Sequence, residues 1–133
     1  MDKEENFKKK LTKEQYHILR EKGTELPFTG KLLNNKEKGI YLCAGCGNEL
    51  FGSETKFDSG SGWPSFYSPK SKENIKTKLD NSFSINRVEV LCSKCNSHLG
   101  HLFNDGPKPT GLRFCINSLA LEFKEKKNKK KKI

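Results

Sequence analysis

Two Cys-x-x-Cys pairs, Cys43-Ala44-Gly45-Cys46 and Cys92-Ser93-Lys94-Cys95, constrain this chain more than any other feature. A turn of this spacing points both sulfurs at one metal, and two turns supply four thiolates, a complete tetrahedral set. Gly47 follows the first pair where the backbone must turn tightly. A four-cysteine site has no open position, so one structural zinc is expected, with Cys43, Cys46, Cys92 and Cys95 as ligands. If tying the intervening loop acted like a disulfide, it would stabilise the fold by about 4 kcal/mol. A redox Cys-x-x-Cys needs only one copy and a βαβ setting, and neither pair has one. A ligand set of Cys92, Cys95, His98 and His101 is the alternative, but it leaves Cys43 and Cys46 unexplained.

The chain has 133 residues, enough for one domain and one core. Hydrophobic and charged residues each make up 32%, so the core is modest and a metal cross-link would help it. The net charge is +10, but residues 124–132 alone hold seven lysines and one acid. The body is only mildly basic, and the lysine run reads as a solvated, disordered tail over 124–133. The first residues carry both signs of charge with no apolar segment after them, and no run approaches membrane-spanning length. Paired cysteines in such a chain point to a reducing compartment, so a cytoplasmic, monomeric protein without a membrane partner is expected.

Residues 1–10 are expected to fray. Thr12 and Gln15 form a Thr-x-x-Gln capping box, Leu11 and Tyr16 can staple it, and Gly23 can stop it. This predicts a helix from Lys13 to Lys22. Short apolar runs follow at Ile40-Tyr41-Leu42 and Leu50-Phe51. Residues 58–70 are turn-rich but hold Trp63, Phe66 and Tyr67. Apolar residues alternate at Ile75, Thr77 and Leu79, and again at Phe83 and Ile85. The phase then switches to Val88 and Val90, which implies a bulge or turn near Asn86-Arg87. Leu112, Phe114 and Ile116 alternate around Cys115, and Leu119, Leu121 and Phe123 follow. The pattern predicts a mainly β chain of antiparallel sheets, a sandwich or small barrel, with one or two helices at the N-terminus.

Zinc leaves Cys115 as the fifth cysteine. On an apolar, β-prone run it is either an inert buried thiol or a nucleophile. Three strings bear on the choice: Gly62-Trp63-Pro64-Ser65-Phe66, His98-Leu99-Gly100-His101-Leu102-Phe103 and Arg113-Phe114-Cys115-Ile116-Asn117-Ser118. They resemble the methionine-R-sulfoxide reductases of the B class. The resemblance runs from Leu11-Thr12-Lys13-Glu14-Gln15-Tyr16 to Leu121-Glu122-Phe123 and includes both knuckles, so it implies one domain over residues 11–123 with two antiparallel sheets, N-terminal helices and the structural zinc site. It implies that Cys115 is the catalytic cysteine and that Trp63 packs on the substrate methyl group. It also implies that His98, His101 and Asn117 surround the sulfoxide and that Arg113 is a basic neighbour. Phe66 and Arg113 are expected beside Trp63 at the substrate.

The chemistry implied is a thiolate attacking a sulfoxide sulfur while an acid protonates the oxygen, leaving a sulfenic acid. A free thiol, with pKa about 8.5, is little ionised at neutral pH, so a cationic histidine or Arg113 is expected to raise the thiolate fraction. Either histidine can donate the proton. Many members of the family carry a resolving cysteine at the position that is Ser61 here. The sulfenic acid is therefore expected to be reduced by thioredoxin or a small external thiol. The rival reading is a zinc-knuckle module for nucleic acid, favoured by the tail. Against it, the knuckle tips carry little base and the aromatics lie apart from the lysines.

Overall fold

A computed structural model describes residues 3–81 and 87–126. Two helices precede nine strands among them: α1 (Lys3–Lys10), α2 (Lys13–Glu21), β1 (Gly39–Cys43), β2 (Glu49–Gly52), β3 (Lys56–Phe57), β4 (Ser65–Phe66), β5 (Ile75–Asp80), β6 (Arg87–Cys92), β7 (His98–Phe103), β8 (Arg113–Ile116) and β9 (Leu121–Glu125). They form two sheets, ordered β2-β1-β9 and β3-β4-β8-β7-β6-β5. Every pairing is antiparallel. This is the mainly β architecture with N-terminal helices that the alternating pattern predicted, in the two sheets that the resemblance implied.

The core lies between the sheets. Alternation along β8 turns Phe114 and Ile116 to one face and Arg113 and Cys115 to the other. On the apolar side Phe66 stacks on Phe51 with centroids 4.4 Å apart, and Tyr41 meets Phe66 edge-on at 5.1 Å. All three rings are fully buried. Each contributes about 1.5–3 kcal/mol by leaving water.

The capping box forms: the Gln15 amide donates to Thr12 Oγ1 at 3.1 Å and the Thr12 amide donates to Gln15 Oε1 at 3.0 Å. The helix stops one residue before the sequence suggested, with Lys22 and not Gly23 in the left-handed conformation (φ 59°). A Cβ on Gly23 would meet only the exposed His17 ring, which can turn aside.

The N-terminal segment, expected to fray, is helical from Lys3 to Lys10. Phe7 is buried, the Arg20 guanidinium lies 4.3 Å from its ring centroid, and Arg20 pairs with Glu4 at 2.6 Å. Lys124 and Glu125, assigned by sequence to the tail, continue β9 and pair with β1. Residues 127–133 lie outside the described residues, as do Phe83 and Ile85 and the phase switch before Arg87. Ser65-Phe66, read as loop, is a strand because β3 and β8 pair with it on either side.

Candidate active site

The six-stranded sheet lines up one row of residues. Register places Ser65 opposite Cys115, Cys115 opposite His101, His101 opposite Glu89, and Glu89 opposite Lys78. Directly opposed residues share a face, so this row is polar while its neighbour, Phe66–Phe114–Leu102–Val88, is apolar. The nucleophile candidate thus meets a histidine through strand pairing alone.

His98 lies three residues before His101, so a regular strand would send it to the other face. A bulge prevents this. Gly100 pairs with Val90 but His98 pairs with Leu91, which leaves Leu99 as the extra residue. The phase resets, and the two rings meet edge-on at 5.4 Å. The Leu99 carbonyl accepts from the Asn117 backbone amide at 2.9 Å and from its side-chain Nδ2 at 3.0 Å. Gly100 has its own constraint: a Cβ there would collide with the Cys115 carbonyl oxygen.

Two buried carboxylates hold the histidines, and sequence reasoning missed both. Glu89 Oε2 lies 2.7 Å from His98 Nδ1, and Asp80 Oδ2 lies 3.0 Å from His101 Nε2. Lys22 approaches Glu89 at 3.5 Å and Arg87 approaches Asp80 at 3.6 Å. Burial pushes the His98 pKa down, only partly offset by Glu89, so its ring stays neutral near pH 7. The signal available in the sequence was alternation: Glu89 sits between Val88 and Val90, a charge where a half-buried strand alternates.

Trp63, His101, Cys115 and Asn117 line one cavity of about 90 Å³, joined by Thr24, Arg87, Gly100 and Phe103. Trp63 Nε1 donates to the Glu25 carbonyl at 3.0 Å, and the Glu25 amide donates to Asn117 Oδ1 at 3.0 Å. Asn117 therefore ties the Trp63 wall to the bulge. Three buried side-chain atoms have no hydrogen-bond partner among the described residues: His98 Nε2, Arg87 Nε and Glu25 Oε2. Of these residues Arg87 lines the cavity, and unpaired buried polar atoms are rare.

One of the expected site residues sits elsewhere, and one stands beside the nucleophile without lining the cavity. Phe66, expected at the substrate, is buried in the core against Phe51, because it faces the opposite side of β4 from Ser65. Arg113 does not line the cavity. It forks onto Asp105 at 2.8 and 3.2 Å and stacks 4.4 Å from the Phe103 centroid.

The expected enrichment of thiolate is not the resting state. Burial raises the Cys115 pKa above the ordinary thiol value, while the Arg113 charge and the Ser61 hydroxyl lower it only partly. Ser61 belongs to a run of hydroxyls in which Ser59 Oγ lies 2.8 Å from Ser61 Oγ and 2.7 Å from Ser65 Oγ.

Away from this cavity, Cys43, Cys46, Cys92 and Cys95 bring their sulfurs within 4.8 Å of one another, a cluster that can hold a zinc ion. Cys43–Cys95 and Cys46–Cys92 are 3.7 and 3.5 Å apart. A tetrahedron of Zn–S bonds of about 2.3 Å has edges of about 3.8 Å, so the donor set fits. The knuckles are copies of one turn. Gly47 donates to the Cys43 carbonyl and Asn96 to the Cys92 carbonyl, both at 2.8 Å, with φ of 81° and 61°. Neither histidine joins the cluster, since each is bonded to a carboxylate. The first knuckle is covered: Ala44 is buried and Lys10 donates to the Gly45 carbonyl at 3.1 Å. That surface does not favour a nucleic-acid module.

Comparison with known proteins agrees with this geometry. Residues 11–125 match the SelR domain. The chain is 63% identical over 121 residues to the peptide methionine sulfoxide reductase MsrB of Methanosarcina barkeri, covering 91% of this chain and 85% of the relative. It is 58% identical over 122 residues to the MsrB of Leptospira interrogans, covering 92% of this chain and 93% of the relative. The chain belongs to the SelR-domain family, the methionine-R-sulfoxide reductases of the B class.

Proposed function

We propose that this reductase acts on methionine-R-sulfoxide in polypeptides, and on the free amino acid, with Cys115 as its nucleophile. The observation that carries the reading is the cavity in which Cys115 lies beside His101 and Trp63. Trp63 offers a flat apolar wall to the substrate methyl group, and the polar groups opposite hold the oxygen. Only one hand of the sulfoxide satisfies both at once.

The proton balance follows from the burial of Cys115. Its thiol keeps its proton at rest, and the sulfoxide oxygen needs one before the S–O bond can break. The Cys115 sulfur attacks the sulfoxide sulfur as its proton passes to the oxygen, with His101, its cross-strand neighbour, relaying it. His98, neutral with its Nδ1–H donated to the Glu89 carboxylate, leaves Nε2 as an acceptor and serves to hold its ring against His101. The oxygen transfers to Cys115, giving methionine and a sulfenic acid. Two external thiols, of thioredoxin or a small molecule, then reduce the sulfenic acid to thiol and release water and their own disulfide. Ser61 supplies no resolving thiol, and the other four cysteines are committed to the metal cluster.

Zinc, bound by Cys43, Cys46, Cys92 and Cys95, would supply a structural cross-link between β1 and β6, with no open position for chemistry. Thiolate ligands and a lone catalytic thiol suit a reducing compartment such as the cytoplasm, and the protein would act as a monomer.

The test is turnover of resolved R and S forms of methionine sulfoxide with excess dithiothreitol. Wild type is expected to reduce the R form alone, and Cys115→Ser to reduce neither. Equal rates on both forms, or full activity in Cys115→Ser, would defeat the reading. Mass spectra after one equivalent of substrate should show Cys115 as a trapped sulfenic acid, not an intrachain disulfide.

A further inference from the structure

The cavity of about 90 Å³ has room for the end of one side chain. Pockets that swallow a whole small ligand hold about 300–1,000 Å³. A polypeptide that presents an oxidised methionine must therefore leave its flanking residues outside, on whatever surrounds the mouth.

Next to the mouth is a second, largely apolar groove of about 670 Å³. Ile18 and His17 of α2 form one side, and Leu26, Thr29 and Leu119 form the other. Thr24 lines both the groove and the catalytic cavity, so the two are neighbours across one residue. Leu26 and Phe28, on the same loop, are 73% and 68% exposed. A single exposed apolar side chain needs no explanation, but two on one short loop, one of them lining an apolar groove, do.

That loop is held, not loose. Phe28 has φ of 67°, uncommon for a bulky side chain. Its amide donates to the Gly62 carbonyl at 2.7 Å, next to Trp63. A Cβ on Gly62 would crowd Pro27 and Phe28. With the Trp63–Glu25 bond, this makes the loop and the cavity wall one unit.

We propose that the Leu26 groove binds apolar residues flanking the oxidised methionine of an unfolded polypeptide. The inference rests on the assignment of the adjoining cavity to the sulfoxide. Exposed apolar segments are what a damaged or unfolded chain offers and a folded one hides, so the groove would favour such chains.

The experiment compares three substrates under dithiothreitol: N-acetyl-methionine-R-sulfoxide, a pentapeptide with leucines flanking the sulfoxide, and one with serines. Wild type is expected to show kcat/KM about tenfold higher for the leucine peptide than for the serine peptide. Leu26→Ser should erase that difference through KM while leaving the acetylated amino acid unchanged. Equal wild-type values for the two peptides, or a uniform loss on all three substrates, would overturn the proposal. Loss seen only when a protein dithiol replaces dithiothreitol would assign the groove to the reductant instead. A wild type inactive on all three would overturn the cavity assignment, and the groove with it.

Discussion

At the scale of single residues, the reaction is shaped by what surrounds one sulfur. Cys115 is a protonated thiol because burial outweighs Arg113, and Arg113 is weakened as a partner by its fork onto Asp105. The sign can be checked. The rate of Cys115 alkylation by iodoacetamide should rise with pH to a midpoint above the ordinary thiol value of about 8.5. Ser61→Ala removes a donor to the thiolate, so its midpoint should move higher still. A midpoint below neutrality would show that the thiol is ionised at rest. The resemblance named His98 and His101 without ranking them. The structure separates their surroundings: His101 lines the cavity and leans on Asp80, while His98 is buried against Glu89.

At the scale of elements, the site depends on β7 and β8 approaching without obstruction. The bulge at Leu99 turns His98 toward His101, and Gly100 lets the Cys115 carbonyl come close. Gly100→Ala would push a methyl group into backbone that cannot rotate away. It should destabilise by about 1–3 kcal/mol in urea melts and reduce turnover further than stability alone explains, because β8 carries the nucleophile. Unchanged activity would mean that the strand spacing does not position Cys115. The sequence offered no sign of this bulge. His98-Leu99-Gly100-His101 reads as a loop or a strand equally well, and only the pairing with Val90 and Leu91 decides the phase. Likewise the sheet alone buries Glu89 and Asp80.

At the scale of the whole molecule, the four-sulfur cluster joins the two sheets, since Cys43 ends β1 and Cys92 ends β6. Arg20 of α2 donates to the Cys95 carbonyl at 2.8 Å, so the helices lean on the cluster too. The protein is expected to contain one zinc per chain by elemental analysis. Stripping it with a strong chelator should lower the melting temperature and loosen both helices in the circular dichroism spectrum. Metal-free protein with an unchanged melt would show that the core suffices alone. No helix among the described residues is long and apolar enough to cross a membrane.

The amino-acid sequence by itself determined the metal cluster, the capped helix and the two-sheet architecture. It also singled out Trp63, His101, Cys115 and Asn117, which line one cavity. These features are local in sequence: a ligand spacing, a capping box, a period of two, a short string. Tertiary structure alone decided which side chains flank the nucleophile, which charges are buried, and that Phe66 belongs to the core. Those depend on register between strands far apart in the chain, and a shift of one residue would exchange the catalytic row for the aromatic one.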